Sequence, residues 1–96
     1  RIAVDVQQAF LEHVAGLMER PGPATLLAVL ESKAAAAEAA LHVSDLAMRV
    51  CGGAAFGRRL TVERHFRDAR AGSIMAPTTD VLHDFVAKTL LDMPLV

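Results

Sequence analysis

The sequence predicts an all-α protein, a bundle of helices, and three observations carry that reading. Apolar residues recur at helical spacing along most of the chain. A run of small residues at 34–40 combines the best helix propensity with minimal side-chain volume. The breakers sit between periodic segments, at Pro21-Gly22-Pro23, Gly52-Gly53, Gly72 and Pro77. No stretch carries a strand signal, and no internal repeat is present.

The first helix is expected over residues 2–20. Ile2, Val6, Phe10, Val14 and Leu17 form its apolar stripe, with Asp5, Gln8, Glu12 and Glu19 opposite. Proline then stops it, because it lacks an N–H and clashes with the preceding turn. The second helix, residues 24–51, is the longest. Its alanines let a neighbour approach closely, which places it in the middle of the bundle, and Leu26, Leu27, Leu30, Leu41, Leu46 and Val50 bracket them. Gly52-Gly53 ends it where the backbone needs positive φ. A third helix is expected over residues 60–70, with Glu63–Arg67 and Arg64–Asp68 pairing at i,i+4. Gly72 reads as its stop. A loop over residues 73–77 leads to Thr78 or Thr79 as the N-cap of a last helix reaching about residue 91. Val81, Leu82, Phe85 and Leu90 face the core from that helix, and Pro94 follows it.

A chain of 96 residues is one domain at most, with a small core. Yet 53% of it is hydrophobic, its mean hydropathy is +0.35, and it has no Trp or Tyr. So much apolar surface exceeds what a small interior can hold. Some of it is expected to face a partner or a missing part of the same polypeptide. Arg1-Ile2-Ala3 enters the helical pattern without a capping residue, which reads as a cut inside a longer protein.

The 10 basic and 11 acidic residues are interspersed, so no nucleic-acid partner is expected. No apolar run reaches the roughly 18 residues of a membrane span, and no signal peptide is recognisable. The single Cys51 excludes an internal disulfide framework and fits a reducing compartment, the cytoplasm.

Three stretches in register carry a family resemblance: C-G-G-A-A-F-G at 51–57, V-E-R-H-F-R-D-A-R at 62–70, and I-M-A-P-T-T-D at 74–80. Together they resemble the end of the acyl-CoA dehydrogenase superfamily. There a long helix closes on a Gly-Gly turn, a V-E-R-x-x-R-D-A-K/R helix follows, and an I-Y-E-G-T loop precedes the final helix. Upstream the likeness is looser, through Ser32-Lys33 and Ala47-Met48.

The resemblance implies an FAD enzyme with an N-terminal helical domain, a middle β domain and an up-and-down C-terminal four-helix bundle. This chain would be the last three helices of that bundle plus the tail, with the upstream domains absent. It also implies a homo-oligomer centred on the bundles and, in the parent protein, an acyl-CoA substrate. The isolated segment is expected to be inactive and to hold no FAD tightly.

Site residues follow from the same register. Arg49 stands at the Gln of the family's Q-x-x-G-G-x-G pattern, Gly52 and Gly53 at its paired glycines, and Ala55 at its last Gly. Of these, Arg49, Gly52 and Gly53 would touch the FAD of a neighbouring subunit, with Arg49 offering a charge-assisted bond to phosphate. A plain helix-ending turn is the competing reading. Thr78 matches the family's Thr and would touch the flavin, though an N-cap role explains it equally. The loop position that carries a catalytic Glu in many family members is Ala76 here, followed by Pro77, so no catalytic residue is assigned in this chain. Asp80 stands where Gln is common.

Other candidates point to structure. Arg67 and Asp68 suit a buried or half-buried ion pair that fixes helix orientation. His13, His42, His65 and His83 are spread over the helices, and His42 with Asp45 is too little for a metal site. Cys51 has no base indicated nearby, and Met48, Met75 and Phe85 read as core filler. The chain is thus expected to be part of an acyl-CoA-dehydrogenase-like oxidoreductase. The alternatives are a flavin monooxygenase on the same fold and a non-catalytic helical oligomerisation module.

Overall fold

A computed structural model describes residues 1–95. Helices α1 (Ile2–Glu19), α2 (Thr25–Cys51), α3 (Val62–Ala69), α4 (Ala71–Ile74) and α5 (Thr79–Leu90) are joined by short turns, and no strand occurs among the described residues. A 3₁₀ turn, Gly52–Phe56, closes α2. The all-α expectation holds. Between α1 and α2 the Pro-Gly-Pro corner is tied by Thr25, whose Oγ1 accepts from the Gly22 N–H at 2.8 Å.

The 27-residue α2 is the axis of the molecule. Helices α1, α3, α4 and α5 all pack on it, and α1 packs on no other helix. Small residues make that possible: Ala28, Ser32, Ala34, Ala37 and Ser44 are the buried positions of α2. The two serines satisfy their hydroxyls on the carbonyls of Val29 and Leu41, one turn back. Leu82 of α5, 2% exposed, is the largest side chain that is fully buried.

This interior is thin. The Cα radius of gyration is 16.0 Å, against about 12.5 Å for a compact chain of this length. No helix is long and apolar enough to cross a membrane among the described residues.

Several sequence expectations are corrected. In α1, Val14 is buried and Phe10 and Leu17 half-buried, but Ile2 and Val6 are exposed, at 81% and 64%. Ala3 and Gln7 take their places toward α2: the small Ala3 lies close to its alanines, and the half-buried Gln7 lines the gap beside them. In α5, Leu82 and Phe85 turn inward while Val81 and Leu90 are exposed. Met75, expected as core filler, is 65% exposed.

Gly72 does not stop the third helix. Arg70 keeps helical angles between α3 and α4, and Gly72 lies inside α4, against Ala37. The pairs Glu63–Arg67 and Arg64–Asp68 do not form. The ion pairs among the described residues are Arg1–Asp5 (3.5 Å), Glu38–His83 (2.9 Å) and Asp84–Lys88 (2.7 Å). Arg67 and Asp68 are both exposed, so they fix no orientation; in water, holding two long side chains together gains little. Arg70 turns back instead, donating from Nη1 to the Phe66 carbonyl at 2.7 Å and lying 3.5 Å over the Phe66 ring.

Candidate cofactor-facing turn and loop

The Gly-Gly turn has two different glycines. Gly52 has φ +58° and ψ −144°, and its N–H donates to the Met48 carbonyl. A Cβ is strained in that conformation, so the chain itself requires glycine there. Gly53 has no positive φ, and a Cβ built on it would meet no atom within 4 Å. Nothing among the described residues requires Gly53 to be glycine.

The flanks of the turn are equally open. Arg49 is exposed in the last turn of α2, where a cation also suits the helix dipole. Ala55, at 0% exposure, anchors the turn, while Val50 and Phe56 stand out at 87% and 80%. Arg58 and Arg59 follow, both exposed. An aromatic, Phe56, and two adjacent cations thus stand beside the paired glycines in the sequence as in the fold.

The second part is the loop between α4 and α5. Thr78 is the N-cap of α5, its Oγ1 accepting from the Val81 N–H at 3.3 Å. Ala76 and Pro77 are exposed, and the nearest carboxylate along the chain is Asp80, exposed in the first turn of α5. The loop itself offers no proton acceptor of carboxylate type. Lys33, from the N-terminal third of α2, donates from Nζ to the Met75 carbonyl at 3.0 Å and to the Pro77 carbonyl.

Arg49, Gly52 and Gly53 therefore stand together, and Thr78 does not join them. It belongs with Lys33, and the helix rise from Lys33 to Gly52 is about 28 Å. Elsewhere, no group of three potential metal ligands exists among the described residues. His13, His42 and His65 are exposed, His83 meets Glu38, and Cys51 is a half-buried free thiol.

A long helix on a Gly-Gly turn, a charged short helix and a Thr-capped last helix are thus present in the expected order. Residues 1–91 match the family described as "Acyl-CoA dehydrogenase, C-terminal domain". The chain belongs to the acyl-CoA dehydrogenase family. It is 39% identical over 71 residues to the 3-sulfinopropanoyl-CoA desulfinase of Paraburkholderia xenovorans, covering 74% of this chain and 18% of that protein. To the desulfinase of Advenella mimigardefordensis it is 40% identical over 65 residues, 68% of this chain and 16% of that one. The mitochondrial short-chain specific acyl-CoA dehydrogenase of Bos taurus is 32% identical over 90 residues, 94% of this chain and 22% of that one. No solved structure matches significantly. The chain spans only 16% to 22% of the length of these curated relatives.

In this acyl-CoA dehydrogenase-family segment two apolar clefts lie on α2. One is walled by Val4 and Leu11 of α1 with Ala36 of α2, the other by Val62 and Ala69 of α3 with Ala47 of α2. Ala40 and Val43 line both, so the two form one trough between α1 and α3.

Proposed function

We propose that these residues form the closing helices of an FAD-dependent oxidoreductase acting on acyl-CoA thioesters. They would supply oligomer contacts and a peripheral part of the flavin site. One observation carries the flavin reading: Gly53 stands beside the exposed Arg49 at the family's paired-glycine position, and a Cβ built on it would meet no atom within 4 Å, which leaves room for a group from outside. Arg49 would offer its guanidinium to a phosphate of that group, and Gly53 would let it approach the backbone. Thr78 accepts from Val81 and keeps its own O–H proton for a ligand. Since the turn and Thr78 lie far apart along α2, each would face a different flavin, which suits an assembly in which bundles of neighbouring chains share cofactors.

FAD, when bound, supplies a two-electron acceptor beside the substrate. Ala76 takes no proton, so in a dehydrogenation the α-proton would pass to a base outside these residues. The relatives named above act, by their names, on CoA thioesters, and the desulfinases among them are not named for dehydrogenation. A loop without a carboxylate suits that wider range. The trough between α1 and α3 would be filled by a further helix of the same polypeptide, upstream of residue 1, completing a four-helix bundle.

The base-free loop equally favours a second reading, a flavin monooxygenase on this fold. Adding an acyl-CoA to the full-length flavoprotein separates the two: bleaching of the flavin absorbance supports the acyl-CoA reading. No bleaching, with oxygen uptake on adding reduced flavin, supports the monooxygenase. A third outcome, a full-length polypeptide that folds and retains no FAD, would leave a non-catalytic oligomerisation module. Gly53→Val tests the carrying observation, because it should lower FAD affinity at unchanged folding. Affinity equal to wild type would remove this turn from the flavin site.

A further inference from the structure

The loop joining α4 to α5 is nearly bare of hydrogen bonds of its own. Its start is held by the Met75 N–H on the Ala71 carbonyl at 2.9 Å, and its end by the Thr78 cap. Pro77 has no N–H to donate. Between these ends, two carbonyls, of Met75 and Pro77, converge on the single ammonium of Lys33. No carboxylate pairs with Lys33 among the ion pairs of the described residues. The side chain leaves a stretch of α2 whose neighbours Ser32 and Ala34 are buried against the other helices. A lysine there gives up rotamer freedom, and what it obtains is two charge-assisted bonds to one loop.

From this geometry we infer that Lys33 is a positioning residue, whose ammonium fixes the loop over residues 75–78 on α2 and so sets where Ala76 and Thr78 stand. The inference rests on the reading that this loop faces the flavin, and it deepens it: the loop's placement is decided from the N-terminal third of α2. Three properties are needed together: a positive charge, more than one donor, and reach. Methionine keeps the reach and loses the donors. Arginine keeps the charge and several donors.

The test uses the full-length polypeptide with FAD, comparing wild type, Lys33→Met and Lys33→Arg by amide hydrogen exchange and by the visible circular dichroism of bound flavin. In Lys33→Met, exchange at Met75, Val81 and Leu82, whose amides donate to Ala71 and Thr78 at the two ends of the loop, should rise by about tenfold, with exchange in α1 unchanged and the flavin spectrum altered. Lys33→Arg should return both readouts toward wild type. A Lys33→Met protein with wild-type loop exchange and flavin spectrum would overturn the inference. So would faster exchange spread evenly over all the helices, which marks general loosening. If wild type itself binds no FAD, the flavin reading fails on its own, and the exchange arm still decides whether Lys33 holds the loop.

Discussion

Gly72 of α4 lies against Ala37 of α2 at a spacing where a Cβ on Gly72 would come 3.6 Å from the Ala37 Cβ. That is ordinary van der Waals contact, and Gly72 has no positive φ. Gly72→Ala should therefore stabilise by roughly 0.5–1 kcal/mol, through the helix propensity of α4. Ala37→Leu, at a position 6% exposed, should instead destabilise by about 1–3 kcal/mol through overpacking. Thermal unfolding of both variants checks the contrast, and equal effects would mean that the two helices do not pack this closely.

The two turn glycines should separate in the same way. Gly52→Ala forces a side chain into φ +58°, ψ −144° and should cost about 1–3 kcal/mol. Gly53→Ala should change stability by less than about 0.5 kcal/mol. A large loss of stability at Gly53 would make the turn structural at both positions and weaken its assignment to a cofactor.

Leu82 is the large side chain of the core, and Leu82→Ala should cost about 2–5 kcal/mol. With the remaining buried positions mostly alanine, little nearby can collapse into the gap. Denaturant titration gives the figure; a loss below about 1 kcal/mol would mean that α5 is held mainly by its polar ties.

Thr78→Ala removes an N-cap and should lower stability by roughly 0.5–1 kcal/mol, the lower part of the usual range, because the capping bond is long at 3.3 Å. Thr78→Ser keeps the cap and should match wild type in thermal unfolding. If Thr78→Ser matches in stability but loses flavin affinity, the threonine methyl is itself a contact.

The exposed apolar residues make a further prediction. Ile2, Val6, Val50 and Phe56 are each more than 60% exposed, and the trough on Ala40 and Val43 is uncovered. Residues 1–96 produced alone should elute above monomer size and without flavin absorbance. A well-behaved monomer would mean that this surface needs no cover.

The helices, their order and the breakers between them were legible in the sequence, because periodicity, alanine propensity and proline act locally, over a turn or two of chain. The buried alanines of α2 and a threonine cap at 78 or 79 followed from the same local rules, and the structure chose Thr78. Family membership was legible too, because three short motifs stand in register. What the sequence did not reveal is which side of each helix another helix covers. Ile2 and Val6 are as apolar as Val14, and only the packing of α1 on α2 decides that Ala3 and Gln7 take their places toward it. Lys33 reads as one more surface charge until the packing of α4 and α5 on α2 brings the loop over residues 75–78 to it. Such contacts join residues distant in the chain, and no local pattern encodes them, so the tertiary structure alone decided them.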